Sequence, residues 1–195
     1  MQAIIDACAD DRIDGQVAVV IGTKDDAPAM DRARLQGIST IEINPRTFPD
    51  DDEYGRKLMS ILTEYKIDLV CLAGYMRILP SLLISAYRYS VMNVHPALIP
   101  MFCGKGMYGG NVHKAVLEYG VKVSGCTVHF VDEDYDTGPI IIQKVVAVKE
   151  GDTAETLAAR ILTQEHIAYP EAIQLFARDR LRIEGRVVHI LPSES

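Results

Sequence analysis

No stretch of this chain is apolar for long enough to cross a bilayer. The longest runs, such as Val17 to Ile21, fall far short of the roughly 20 residues a membrane helix needs. No basic segment followed by an apolar one opens the chain, so the expected compartment is the cytoplasm and no membrane partner is expected. Positive charge is scarce too: 20 Lys and Arg against 27 Asp and Glu leave a net charge of −7. That balance excludes a general nucleic-acid surface, which needs clustered cations, and leaves open a local basic pocket for one small phosphate. Cysteine is sparse and scattered: Cys8, Cys71, Cys103 and Cys126 form no CxxC pair. Neither a zinc site nor a thioredoxin-like motif is suggested, and free thiols in a reducing compartment are the simple reading. Repeats, low-complexity segments and interior linkers are absent as well, so one domain over residues 1–195 is expected.

The 195 residues are 48% hydrophobic and 24% charged, enough for a full core. Ile4, Ile5 and Cys8 recur at helical spacing within Met1 to Asp11, so a helix precedes the first strand, Val17 to Ile21. Helices are then expected over Pro28 to Gln36 and Asp52 to Lys66, with a strand between them at Ile38 to Ile43. Ile67 to Ala73 reads as a strand buried on both sides. Pro80 to Tyr89 suits a short helix with proline in its first turn, and Ser90 to Val94 the next strand. This alternation predicts an α/β, Rossmann-like, mostly parallel sheet with helices on both faces. Pro100 to Gly110 has four glycines and no period, so it is a loop, read as mobile and solvent-exposed. A helix at Val112 to Tyr119, strands at Gly125 to Val131 and Ile140 to Val148, and a long helix from about Thr153 to Arg178 follow. Pro170 should break or kink that last helix. Arg180 to Ile190 suggests a hairpin around Glu184-Gly185.

The strongest chemical signal is the strand end Asn93-Val94-His95-Pro96. Spacing of two in a strand points Asn93 and His95 to one side, and ligands of open α/β sheets gather at strand carboxyl ends. An amide and an imidazole together can stabilise the oxygen of a carbonyl under attack. For an arbitrary Asn-x-His the commoner reading is structural, a satisfied histidine beside a turn asparagine. Asp136, in the acidic loop Asp132 to Asp136, lies at another strand end and can set the protonation of an imidazole. Alone, that loop fits a solvated turn equally. Leu72 to Pro80 breaks a buried strand at Gly74 into a bulky apolar loop with one cation, Arg77, suited either to walling a flat heterocycle or to packing into the core. Thr163 to His166 gathers polar side chains on the last helix, by default an exposed face.

In this order, the segments LAGYMRIL (72–79), NVHPALIP (93–100), VHFVDEDYDTGPII (128–141) and TQEH (163–166) followed by Tyr169-Pro170 resemble the glycinamide ribonucleotide formyltransferase family. The resemblance covers nearly the whole chain. It implies the formyltransferase fold and transfer of a formyl group from 10-formyltetrahydrofolate to the amine of 5′-phosphoribosylglycinamide in purine synthesis. Asn93, His95 and Asp136 match the family's catalytic trio. Arg77, Ile78, Leu79, Asp132 and Glu133 match its folate pocket, and Gly74, Met76, Pro96 and Glu165 its ribonucleotide contacts. In the implied mechanism Asp136 holds His95 charged, and Asn93 with protonated His95 stabilises the oxyanion. The implied partners are these small molecules; no metal is implied, and a homodimer is left open.

Two departures from the family pattern stand out. Members usually open with a β-strand and a glycine-rich phosphate-cradling loop, whereas Met1 to Asp6 here already reads as the helix that follows them, so that strand and cradle are expected to be missing from the fold. The loop from Met101 to Asn111 is longer and richer in glycine, and carries Lys105. A formyltetrahydrofolate hydrolase would use the same three groups but normally carries an additional regulatory domain. A methionyl-tRNA formyltransferase would add a nucleic-acid-binding domain. A silent folate-binding remnant is the reading from outside enzymology.

Overall fold

Residues 1–193 are described by the computed structural model, in which strands and helices alternate as the hydrophobic pattern requires. Helix α1 (Gln2–Ala9) precedes β1 (Val19–Gly22), α2 (Pro28–Leu35) and β2 (Ser39–Glu42). β1 and β2 form a separate parallel pair. Next comes α3 (Asp51–Glu64), whose start is set by Asp50: its carboxylate accepts the Glu53 N–H at 2.8 Å. Asp51, Asp52 and Glu53 then occupy the first turn, where the helix dipole favours negative charge. Tyr54, Leu58, Ile61 and Leu62 form its buried face.

The larger sheet has the order β3-β4-β5-β6-β8-β7. It is built from β3 (Val70–Cys71), β4 (Val91–His95), β5 (Val123–Phe130), β6 (Ile140–Ala147), β7 (Leu181–Glu184) and β8 (Val187–Ile190). The expected mostly parallel sheet holds only in part. β3 pairs parallel with β4 across the short α4 (Ser81–Ala86), but β4–β5 and β5–β6 are antiparallel. The reason lies in the connections. The segment from Pro96 to Lys122, with its glycine-rich loop and α5 (Gly110–Tyr119), returns the chain so that β5 runs against β4, and the short 131–139 loop reverses it again into β6. A connection as short as 131–139 requires antiparallel neighbours, whereas one as long as 96–122 allows either direction.

The expected doubly buried strand Ile67 to Ala73 shrinks to Val70–Cys71, extended by one bond from the Leu72 N–H to the Met92 carbonyl, and is half-buried. Its only strand neighbour among the described residues is β4. The final helix α6 (Ala154–Ala177) runs through Pro170 without interruption. Its Tyr169 hydroxyl lies 3.0 Å from the Leu72 carbonyl and 2.8 Å from that of Met92, tying the helix to β3 and β4.

Helices cover both faces of the sheet. On one side α1, α5 and α6 enclose Met92, Val112, Val116, Val128, Phe130 and Ile161; on the other, α3 and α4 enclose Tyr54, Leu58, Leu83 and Val91. Val91 and Met92 thus face opposite cores, as alternation along a strand requires. β4 lies between β3 and β5, its last residue His95 is buried, and it delivers polar groups to its carboxyl end.

Candidate active site

Antiparallel register places Asn93 opposite His129 and His95 opposite Thr127. The four side chains therefore line one face at the end of β4. Thr127, fully buried, organises the chain beyond His95: its hydroxyl donates to the Ala97 carbonyl at 2.7 Å and accepts the Ile99 N–H at 3.1 Å and the Gln143 amide at 3.0 Å. The Gln143 amide also donates to the Ile99 carbonyl at 3.0 Å. The 96–100 exit, which ends in a cis Ile99–Pro100 bond, is held by three of these contacts, to Ala97 and Ile99.

Asp136 enters from the 131–139 loop with φ of 56°, the left-handed region that aspartate tolerates better than most residues. Gly138 makes that loop fit, since a Cβ there would lie 1.8 Å from the Phe130 carbonyl oxygen. Asp136 Oδ2 stands 3.5 Å from His95 Nδ1, and Oδ1 3.6 Å from His129 Nε2. Asn93 Nδ2 is 3.4 Å from the same His129 nitrogen. The structure thus brings the expected trio together and adds His129, which the sequence reading did not single out. Its signal was present in the strand Gly125 to Val131, but only the antiparallel register puts it across from Asn93.

The glycine-rich loop is tied into this cluster and not simply free in solvent. The Phe102 carbonyl accepts from His95 Nε2 at 2.8 Å, and the Gly104 N–H donates to Asp136 Oδ2 at 3.0 Å. Phe102 has φ of 54°, a costly conformation for a bulky residue, and this strain at a polar cluster is typical of functional sites. Lys105 and Tyr108 farther along are exposed.

These contacts set the proton positions. A carbonyl only accepts, so His95 carries its hydrogen on Nε2 toward Phe102. For the same reason His129 carries one on Nδ1, 2.8 Å from the Phe130 carbonyl, and offers Nε2 as an acceptor to Asn93. Burial pushes the His95 pKa below its ordinary 6.5, and the Asp136 charge offsets this only in part. This direction favours the neutral imidazole in the resting site. Burial raises Asp136, but the neighbouring His129, the bond from the Gly104 N–H and the nearby His95 outweigh it and hold the carboxyl below its ordinary value. The unprotonated His95 Nδ1 and ionised Asp136 Oδ2 face each other with room for one incoming proton between them.

The remaining expected residues lie on the loops after β3, β4 and β5 and on α6. Gly74, at φ of 72°, opens the loop after β3; Met76, Arg77 and Ile78 are exposed and Leu79 is buried. Arg77 reaches Asp51 at 3.3 Å. Asp132 and Glu133 line a crevice of about 430 Å³ with Ile84, Arg88, Tyr89 and Arg186, which Arg77 to Leu79 do not line. Pro96 directly follows His95. Glu165, on α6, is raised above its ordinary value by burial. Among the described residues no cluster of three His, Cys, Asp or Glu has metal-holding geometry, and no helix is long and apolar enough to cross a membrane.

The formyl transferase family profile matches residues 1–173. Phosphoribosylglycinamide formyltransferase of Escherichia coli (strain K12) is 40% identical over 183 residues, covering 94% of this chain and 84% of that protein. The chloroplastic phosphoribosylglycinamide formyltransferase of Arabidopsis thaliana is 40% identical over 180 residues, covering 92% of this chain; the chain spans 62% of that relative's length. The crystal structure of glycinamide ribonucleotide transformylase 1 from Symbiobacterium toebii superposes with a TM-score of 0.92 at 48% identity, covering 98% of this chain and 88% of that one. With an Asn, His and Asp cluster at the strand ends of a matching fold, and a family profile over most of its length, the chain belongs to the formyl transferase family.

Proposed function

We propose that this chain, as a single domain, transfers the formyl group of 10-formyltetrahydrofolate to the primary amine of 5′-phosphoribosylglycinamide in purine biosynthesis. The observation that carries the reading is the meeting of Asn93, His95, His129 and Asp136 at the end of β4. The names of the bacterial and plant relatives support the choice of acceptor.

The neutral amine attacks the formyl carbon, and the formyl oxygen gains negative charge. Asn93 Nδ2 has two protons, one turned toward His129 and one available to that oxygen. His95 Nε2–H supplies a second donor when it turns from the Phe102 carbonyl. The proton released by the amine is held between His95 Nδ1 and Asp136 Oδ2, then passes to the folate nitrogen as the carbon–nitrogen bond to it breaks. Side chains and backbone carry each step, with no role for a metal. Arg77, Ile78, Leu79, Asp132 and Glu133 serve the folate, and Gly74, Met76, Pro96 and Glu165 the ribonucleotide. The reaction belongs in the cytoplasm, among water-soluble small molecules.

The test mixes the chain with 10-formyl-5,8-dideazafolate and phosphoribosylglycinamide, follows absorbance of the deformylated product and identifies the formylated amine by mass. Product that forms only with both substrates is expected. Release of formate at the same rate with and without the amine would instead identify a hydrolase.

A further inference from the structure

Arg77 is the single charged residue of the loop Leu72 to Pro80, and it is already occupied: its Nη2 lies 3.3 Å from Asp51 Oδ1. The contact is not a chance meeting of surface side chains. One turn into the same helix, the Tyr54 hydroxyl lies 3.4 Å from that of Tyr75, so the first turn of α3 grips the loop at two points, one of them through a side chain only 3% exposed. Asp51 belongs to the run Asp50-Asp51-Asp52-Glu53. Asp50 is engaged as the helix cap and Glu53 lies 4.0 Å from Arg56. Arg77 and Asp51 are 46% and 76% exposed, so their pair sits in water and exchanges partners at little cost.

The pterin and aminobenzoyl parts of a formyl-folate are uncharged; its anions are the carboxylates of its glutamate tail, which gains one with each added γ-glutamyl unit. An arginine at the rim of a folate site is the group such a carboxylate meets. Here the carboxylate has to displace Asp51 and enter the negative field of α3's first turn. We propose that Asp51 is a specificity-determining residue that sets against long, polyanionic tails and makes the chain favour folates with short ones. This rests on the assignment of Arg77 to the folate site made above.

Isothermal titration with 5,8-dideazafolate, as monoglutamate and as pentaglutamate, tests it on the wild type, Asp51→Asn, Asp51→Glu, Arg77→Gln and the double variant Asp51→Asn with Arg77→Gln. Asp51→Asn is expected to tighten the monoglutamate by about two- to fivefold at low salt, in line with an exposed ion pair. It should tighten the pentaglutamate more, and both gains should fade as ionic strength rises from roughly 0.01 M to 1 M. Asp51→Glu should keep the wild-type preference, and adding Arg77→Gln to Asp51→Asn should remove most of the monoglutamate gain. Equal affinities of wild type and Asp51→Asn for both ligands at low salt, or tighter wild-type binding of the pentaglutamate, overturn the inference while leaving the folate assignment standing. No binding of either ligand by the wild type overturns both.

Discussion

Thr127 shows how much of the site depends on a residue with no chemistry of its own. Its hydroxyl satisfies the Ile99 N–H and the Ala97 carbonyl just past His95, deep in the protein. Thr127→Val keeps the shape and strands both groups, so it should cost about 1–3 kcal/mol in urea denaturation, whereas Thr127→Ser should cost much less. Equal stability of the valine variant would show that the exit segment is held some other way. Nothing in Gly125 to Val131 read alone predicts this role or that of His129, because both depend on the register of β5 against β4. The shared face of Asn93 and His95, by contrast, follows from alternation within one strand and needs no partner to be seen.

At the level of elements, what could be read depended on whether the cause was local. α6 begins close to the expected Thr153: Thr153 Oγ1 accepts the Thr156 N–H, Thr156 Oγ1 accepts the Thr153 N–H, and Arg160 fastens Asp152 through two bonds of 2.7 and 2.8 Å. Removing the cap with Thr153→Ala should lower stability by about 1 kcal/mol, read as a lower urea midpoint with an unchanged slope. A change in slope instead would point to a loss of two-state unfolding. Pro170 did not end this helix, because Ala168, Tyr169, Ala172 and Ile173 around it are buried and packing outweighs the loss of one backbone bond. β3 failed in the opposite sense: an apolar run promised a long strand, but pairing on one side gives it two ladder residues. The glycine-rich loop had no periodicity from which its bonds to His95 and Asp136 could be foreseen.

For the whole molecule, the polar centre makes stability depend on pH. His95 and His113 are both pushed below 6.5, burial being the main cause in each. Unfolded, they bind protons at higher pH than when folded, so stability should fall as pH drops from about 6.5 toward their folded values. Asp136 adds stability above its unfolded value of 3.8 that is lost as pH falls through its lower folded value. Urea midpoints measured from pH 8 to pH 3 should decline in that order, and a midpoint flat from 7 to 5 would contradict the buried neutral histidines. The fold built from two cores on either side of β4 ends in one chemical claim, that His95 acts on the formyl group. The most direct measurement is formyl transfer from 10-formyl-5,8-dideazafolate to phosphoribosylglycinamide by the wild type and by His95→Ala, with circular dichroism as a check on folding. Turnover lower by roughly 10² or more in a folded variant is the predicted result; turnover equal to wild type would contradict the account.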